Sequence, residues 1–365
     1  MLAALLLALG LLLCGCQDTG EVENQAYVLV LAMDRAEDGG LVLTARVPKI
    51  GKSGAKDEKG GGDSPYLSFS VTGASWSRAL DALQWATPRR INLSHIEMIV
   101  ASEALASQPS FPELMNAVAD TPHLYTNARF VVCQGSAKAF LEAGDTVIGT
   151  RLSTEIHAML SQYARQGFIP DACLADACCC INGIYGDAIA VWGRLDESEA
   201  GQGGAAVTES PMRQRFDGTA LFREGRFVMG LSAARTRLFN LIRGHMDAFG
   251  YAWRDDTIEL IPEAAAVRRV SWNGDALSLS LSVQLRAPDG FDEADIRALE
   301  ATLRGDIIDM IQACQRLGCE PFGFAEAAAR HFATVPQWIA FDWRVHYRRA
   351  PVDVEIDLTS PHTNP

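Results

Sequence analysis

The sequence is short of positive charge and, after its first few residues, short of long apolar runs. Its 365 residues carry 32 Lys and Arg against 45 Asp and Glu, a net charge of −13. A face basic enough to neutralise phosphates is not expected, which argues against a nucleic-acid partner. The same deficit argues against adsorption to anionic lipid through a polybasic patch. Past residue 16 no apolar stretch approaches the roughly 20 residues of a spanning helix, so the body is not expected to cross a bilayer.

Signatures of catalysis are missing too. None of the seven histidines (His95, His123, His157, His245, His331, His346 and His362) sits in an HExxH pattern or four residues from another, the spacing that sets two ligands on one helix face. There is no GxSxG elbow, and no GxGxxG follows a strand. Gly51-Lys52-Ser53 lacks the upstream glycine of a phosphate loop, whose place Arg46 occupies. Ser94-His95 read as neighbours on a strand, which point to opposite faces and exclude a nucleophile–base pair. The expectation is a protein that is not an enzyme and has no catalytic residues, no bound metal and no cofactor.

What the chain does have begins at its start. An almost unbroken apolar run from Met1 to Leu13 closes on Leu13-Cys14-Gly15-Cys16 and opens onto Gln17-Asp18. Thirteen residues are too few to span, whereas small residues before a cysteine after such a run read as a signal-peptidase site. Residues 1–15 are therefore expected to be a lipoprotein signal peptide. Cys16 becomes the lipidation site, carrying covalent diacylglycerol and acyl lipid. No Lys or Arg precedes the run, and the true start is expected upstream of Met1. With Cys14 and Cys16 set aside, seven of the nine cysteines remain. An odd set cannot pair completely within the chain. Cys173 with Cys178, Cys179 and Cys180 lacks His or CxxC spacing for zinc, so buried or free thiols are expected.

Hydrophobic residues make up 48% of the chain, an ordinary share for a folded protein, and its length suggests more than one domain. Tyr27–Asp34 and Leu41–Val47 flank turn residues as a hairpin, Tyr66–Val71 alternates as a strand, and Trp76, Ala79, Leu80 and Leu83 recur at helical spacing. Ile91–Val100 reads as one strand. Ser110-Phe111-Pro112-Glu113 is a capping-box sequence that starts a helix running to Asp120. A strand over Asn127–Gln134 and helices over Ser136–Ala143 and Ser153–Gln166 follow, while Thr146–Trp192 is otherwise ambiguous. Asp196–Met212 is dominated by glycine and acid, so a linker over 196–213 divides an N-terminal region, 16–195, from a C-terminal one, 214–360. The N-terminal part is one body or two, about 21–145 and 146–195.

In the C-terminal part a hairpin turns at Arg223-Glu224-Gly225, a helix covers Ala233–Met246, and Asn273-Gly274 marks a second hairpin. Asp292 caps the longest helix, whose stripe Leu299, Leu303, Ile307, Met310, Ile311, Cys314 and Leu317 ends at Gly318. Val352, Val354, Ile356 and Leu358 alternate with Asp353, Glu355 and Asp357, a closing strand with one wet face. The expected fold is α+β (mixed α/β) and multi-domain, with antiparallel or mixed sheets, packed helices and the long helix in the C-terminal domain.

Several separated stretches also resemble the C-subunit lipoproteins of bacterial spore germinant receptors, the Ger(x)C family. They are Gly15-Cys16-x-Asp18 with Ala26–Asp34, then Arg89–Glu103, then Asn127-Ala128-Arg129 with Gly135–Lys138. Past the linker come Phe216–Phe222, Pro321-Phe322-Gly323-Phe324, Pro336-x-Trp338 and Asp342-Trp343. The resemblance covers essentially the whole chain in order. It departs at Gln17, where the family commonly has Trp, and in the 51–64 insertion and the Cys178–Cys180 run. It implies a receptor subunit working with integral-membrane partners (A and B type) at the spore's inner membrane, lipid-anchored on its outer face, in germination triggered by nutrients. Arg90, Asn92, Ser94, His95 and Glu97 are then candidates for a partner interface. A lipoprotein solute-binding protein of a transporter is the alternative, and would need two similar lobes.

Overall fold

The computed structural model describes residues 24–49, 66–143, 152–195, 214–244, 246–273 and 276–360. The expected signal peptide, Cys16, the 51–64 insertion and the 196–213 linker lie outside them.

The first strand, β1 (Gln25–Tyr27), stands apart from the main sheet and pairs in parallel with β5 (Arg90–Asn92). β2 (Val30–Arg35), apolar except at its end, turns through Gly39 at φ +89 into β3 (Leu41–Pro48), and β3 pairs with β4 (Tyr66–Gly73). On its other edge β2 runs parallel to β6 (Met98–Ser102), followed by β7 (Arg129–Cys133) and β8 (Ile189–Leu195). All five residues of β6 are buried, as a parallel strand covered on both faces requires. β9 (Gln214–Arg223) and β10 (Arg226–Ser232) complete an eight-stranded sheet of order β10-β9-β8-β7-β6-β2-β3-β4.

Helices cover both faces of this sheet. α1 (Trp76–Trp85), the single turn α2 (Glu103–Ala106), α3 (Phe111–Ala119) and, later, α6 (Leu174–Asn182) pack one core. α4 (Ala137–Glu142) and α5 (Leu152–Arg165) pack the other. α3 begins where expected, but Ser110 is in αR geometry and makes no side-chain cap. The capping box is therefore not formed, and Pro112 in the first turn is what suits this start. α6 lies in the stretch that the sequence left ambiguous.

α7 (Ala233–Arg243) ends at Gly244, φ +76, three residues short of the expected bound. It leads into a five-stranded sheet. β11 (Phe249–Trp253) and β12 (Asp256–Pro262) form a hairpin that the sequence did not announce, and β13 (Val267–Asn273) and β14 (Ala276–Arg286) form the expected one. β15 (Val352–Thr359) adds in parallel to β14, with Val354, Ile356 and Leu358 inward and Asp353, Glu355 and Asp357 outward. α8 (Glu293–Leu317) runs from the Asp292 cap, which accepts from Asp295 N–H at 2.8 Å, to Gly318 at φ +73. Its stripe from Leu299 to Cys314 has no exposed surface, and each such Leu or Ile contributes about 1.5–3 kcal/mol on burial. Three short helices, α9 (Phe324–Ala329), α10 (Val335–Phe341) and α11 (Trp343–Tyr347), close the fold before β15.

The mixed sheets, packed helices and long C-terminal helix agree with the expected α+β class. The eight-stranded sheet nevertheless continues across 196–213, because β9 pairs with β8. β9 is a shared wall. Ala220 and Phe222 belong to the core of the first sheet, while Leu221 between them belongs to the core under α7 and α8.

Candidate interaction surface

The segment nominated by sequence is not one strand. β5 ends at Asn92, Ser94-His95 make a turn, and β6 starts at Met98. The break follows from asparagine chemistry, since the side chain can bond its own backbone two residues on. Here Asn92 Oδ1 accepts from Ser94 N–H at 2.9 Å and from Ser94 Oγ at 2.6 Å, while Asn92 Nδ2 donates to Gln25 Oε1. The opposite-face argument against a Ser94–His95 pair therefore fails. The two touch, with Ser94 Oγ and His95 Nδ1 2.8 Å apart. Because the Ser94 hydroxyl donates to Asn92, the imidazole Nδ1–H donates to Ser94. The proton thus points away from the geometry a nucleophile and its base require.

These residues form a ledge on the β1–β5 pair. His95 is exposed and sets its ring edge against Tyr27, centroids 4.8 Å apart. Arg90 is exposed and stands opposite Gln25 in the parallel register. Asn92, Ser94 and Glu97 are half-buried, and the Glu97 backbone is occupied by Leu29 and Arg129. The five candidates are thus brought together, but only Arg90 and His95 are fully outward.

A second polar cluster escaped the sequence reading. Asp187, whose side chain is 2% exposed, receives both terminal nitrogens of Arg344 at 2.7 and 2.8 Å, Glu224 N–H at 3.0 Å and Glu320 N–H at 2.8 Å. Glu320 is buried beside it. Its carboxyl accepts from the backbone N–H groups of Phe322, Gly323, Phe324 and Ala325 at 2.9 to 3.1 Å. Burial pushes the Glu320 carboxyl above its usual range, with the Asp187 charge adding to it, while those N–H groups pull the other way. Arg344 also reaches the Gly318 carbonyl, and Trp338 Nε1 donates to the Ile184 carbonyl at 2.8 Å. The knot ties the approach to β8, the β9–β10 turn and the C-terminal closing segment into one unit. Its partners lie up to 157 residues apart, which no local pattern announces.

Another pair of separated stretches meets as a helix cap. Asp34, at the end of β2, accepts from Ala137 and Lys138 N–H at 2.8 Å each and so satisfies the first turn of α4.

The remaining candidate groups are quiet. Cys133, Cys173, Cys178, Cys179, Cys180, Cys314 and Cys319 are free thiols. Burial raises Cys133, Cys173 and Cys180 above the ordinary thiol range and Cys178 to about 11, the reverse of what a reactive thiolate needs. Among the described residues no group of three His, Cys, Asp or Glu side chains could hold a metal ion, and no helix is long and apolar enough to cross a membrane.

Comparison with known proteins agrees with this architecture. The family model described as "Spore germination protein N-terminal domain" matches residues 18–191, and "Spore germination B3/ GerAC like, C-terminal" matches 217–363. The Bacillus subtilis (strain 168) protein YfkR, provisionally named for spore germination, is 24% identical over 386 residues, spanning 94% of this chain and 91% of YfkR. Spore germination protein KC of the same organism is 28% identical over 134 residues, 36% of this chain and 33% of KC. The crystal structure of the GerBC protein superposes over 91% of this chain and 96% of that one with a TM-score of 0.50. At 13% identity that is a likeness of fold.

Proposed function

Because the chain belongs to the GerAC-like family of spore germination proteins, the C subunits of germinant receptors, we propose that it is a lipid-anchored subunit that assembles with integral-membrane partners and is required for the nutrient response. The observation that carries this reading is the pair of family matches, which cover nearly the whole chain in order. The anchor is Cys16, with its lipid in the outer face of the spore's inner membrane. A tether of this kind holds the body at high effective concentration beside membrane partners without a large interface.

The ledge is the face offered to those partners. Arg90 and His95 are exposed, which leaves both side chains open to a partner. The transporter alternative needs two similar lobes, whereas an eight-stranded sheet stands here beside a five-stranded one.

Deleting the gene in its spore-former should impair the response to a nutrient germinant and leave sporulation itself normal. Restoring the wild-type gene rescues it, and a Cys16→Ala copy releases the protein from membranes. Spores that germinate normally, with no second receptor to compensate, would contradict the proposal.

A further inference from the structure

α1 ends on an exposed indole: Trp85 retains 89% of its free surface, the most of any large apolar side chain among the described residues. Its setting is braced. The neighbouring Gln84 side chain donates to the Arg89 carbonyl and accepts from Ile91 N–H, each at 2.9 Å, which pins the loop between α1 and β5 to the helix end. β5 in turn pairs with β1, and Gln25, the first residue of β1, stands opposite Arg90. Trp85 therefore sits on the end of the body where the chain arrives from Cys16.

Chain length decides what that end faces. Nine residue steps separate Cys16 from Gln25, and at about 3.3–3.6 Å each they reach roughly 30 Å when fully extended. A chain of this size has a radius of gyration of about 20 Å and is some 50 Å across. The tether is shorter than the body, so a lipid on Cys16 brings this end to the bilayer and keeps the far end off it. Tryptophan prefers the headgroup boundary, where its ring is half shielded and its N–H still hydrated.

Charge is a secondary matter. In sequence the cations nearest Trp85 (Arg78, Arg89 and Arg90) are offset by Asp81 and by the acidic Asp18, Glu21 and Glu23 between Cys16 and β1. Net attraction to anionic lipid is small, and the indole carries the contact.

We propose that Trp85 inserts into the headgroup region of the membrane that holds Cys16, fixing the orientation of the body as a second attachment beside the lipid. This rests on the lipid anchor under "Proposed function". The full-length lipidated protein is reconstituted into vesicles of phosphatidylglycerol and a phosphatidylcholine brominated near the top of its acyl chains, then sedimented and read by tryptophan fluorescence. Wild type should sediment and lose part of its emission to bromine. Trp85→Phe, which exchanges the exposed indole for a phenyl ring and leaves the core alone, should sediment equally and lose that quenched component. Sedimenting protein with no quenching, or with the same quenching in Trp85→Phe, overturns the inference and leaves the anchor standing. Protein that stays in the supernatant overturns the anchor, and this inference with it.

Discussion

The knot at Asp187, Glu320 and Arg344 and the ledge at Arg90, Asn92, Ser94 and His95 are both polar clusters that join segments distant in the chain. They differ in their contact with water. In the knot, two carboxyl groups are buried and fully engaged by N–H donors. On the ledge, the inner members satisfy one another and the outer members face solvent. A sealed group must be compensated by its neighbours at all times, so its natural role is to hold the fold. An exposed group that the fold does not need is free to be recognised. Polar residues within family-like segments therefore do different jobs, and burial separates them.

The largest break in the comparison should come from Glu320→Ala. It strips four backbone N–H groups of their acceptor, and each buried donor left unpaired costs about 1–3 kcal/mol. Denaturant unfolding of the soluble body reads this directly, and His95→Ala on the ledge should change stability by less than about 0.5 kcal/mol. Equal effects at the two sites would remove the distinction. Next is Arg344→Met, which leaves Asp187 buried without its guanidinium and should cost about 2–3 kcal/mol, discounted because Arg344 is itself partly exposed. Adding Asp187→Asn should recover part of that loss, giving a coupling that a double-mutant cycle measures.

A pH series sharpens the same point. Burial raises Glu320 above its unfolded value, so between the two pKa values the native state binds the more protons. Stability from this group is then present at the acid end of that window and falls as pH rises through it. Glu320→Gln should flatten that slope in unfolding free energy against pH, and an unchanged slope would assign it to other groups. A smaller loss than in the knot is expected at the helix cap, where Asp34→Ala should cost about 1 kcal/mol, seen as a small shift in denaturation midpoint.

Much of the fold was legible because it is written in local periodicity. The α8 stripe, the β13–β14 hairpin and the alternation of β15 each follow from spacing alone, and all three stand where expected. The misses have physical reasons. α6 carries three consecutive cysteines and is capped by Cys173, whose Sγ accepts from Asp176 N–H at 3.5 Å, a cap outside the usual Ser, Thr, Asp and Asn set. The β11–β12 turn places Arg254 at φ +53 with no glycine to signal it. The ledge reads as a strand in sequence because apolar residues flank Asn92, Ser94 and His95, and the Asn92 turn that breaks it involves a side chain. The knot was invisible because its acceptors bond backbone N–H groups from distant parts of the chain. Cys16, the site most legible in sequence, lies outside the described residues.

The division of labour between knot and ledge is tested most directly in spores. A deletion strain is complemented with Arg90→Ala/His95→Ala, and both the germination rate with nutrient and the protein level in the inner-membrane fraction are measured. The account predicts wild-type protein levels with a slowed nutrient response. A wild-type germination rate at wild-type protein level would contradict it.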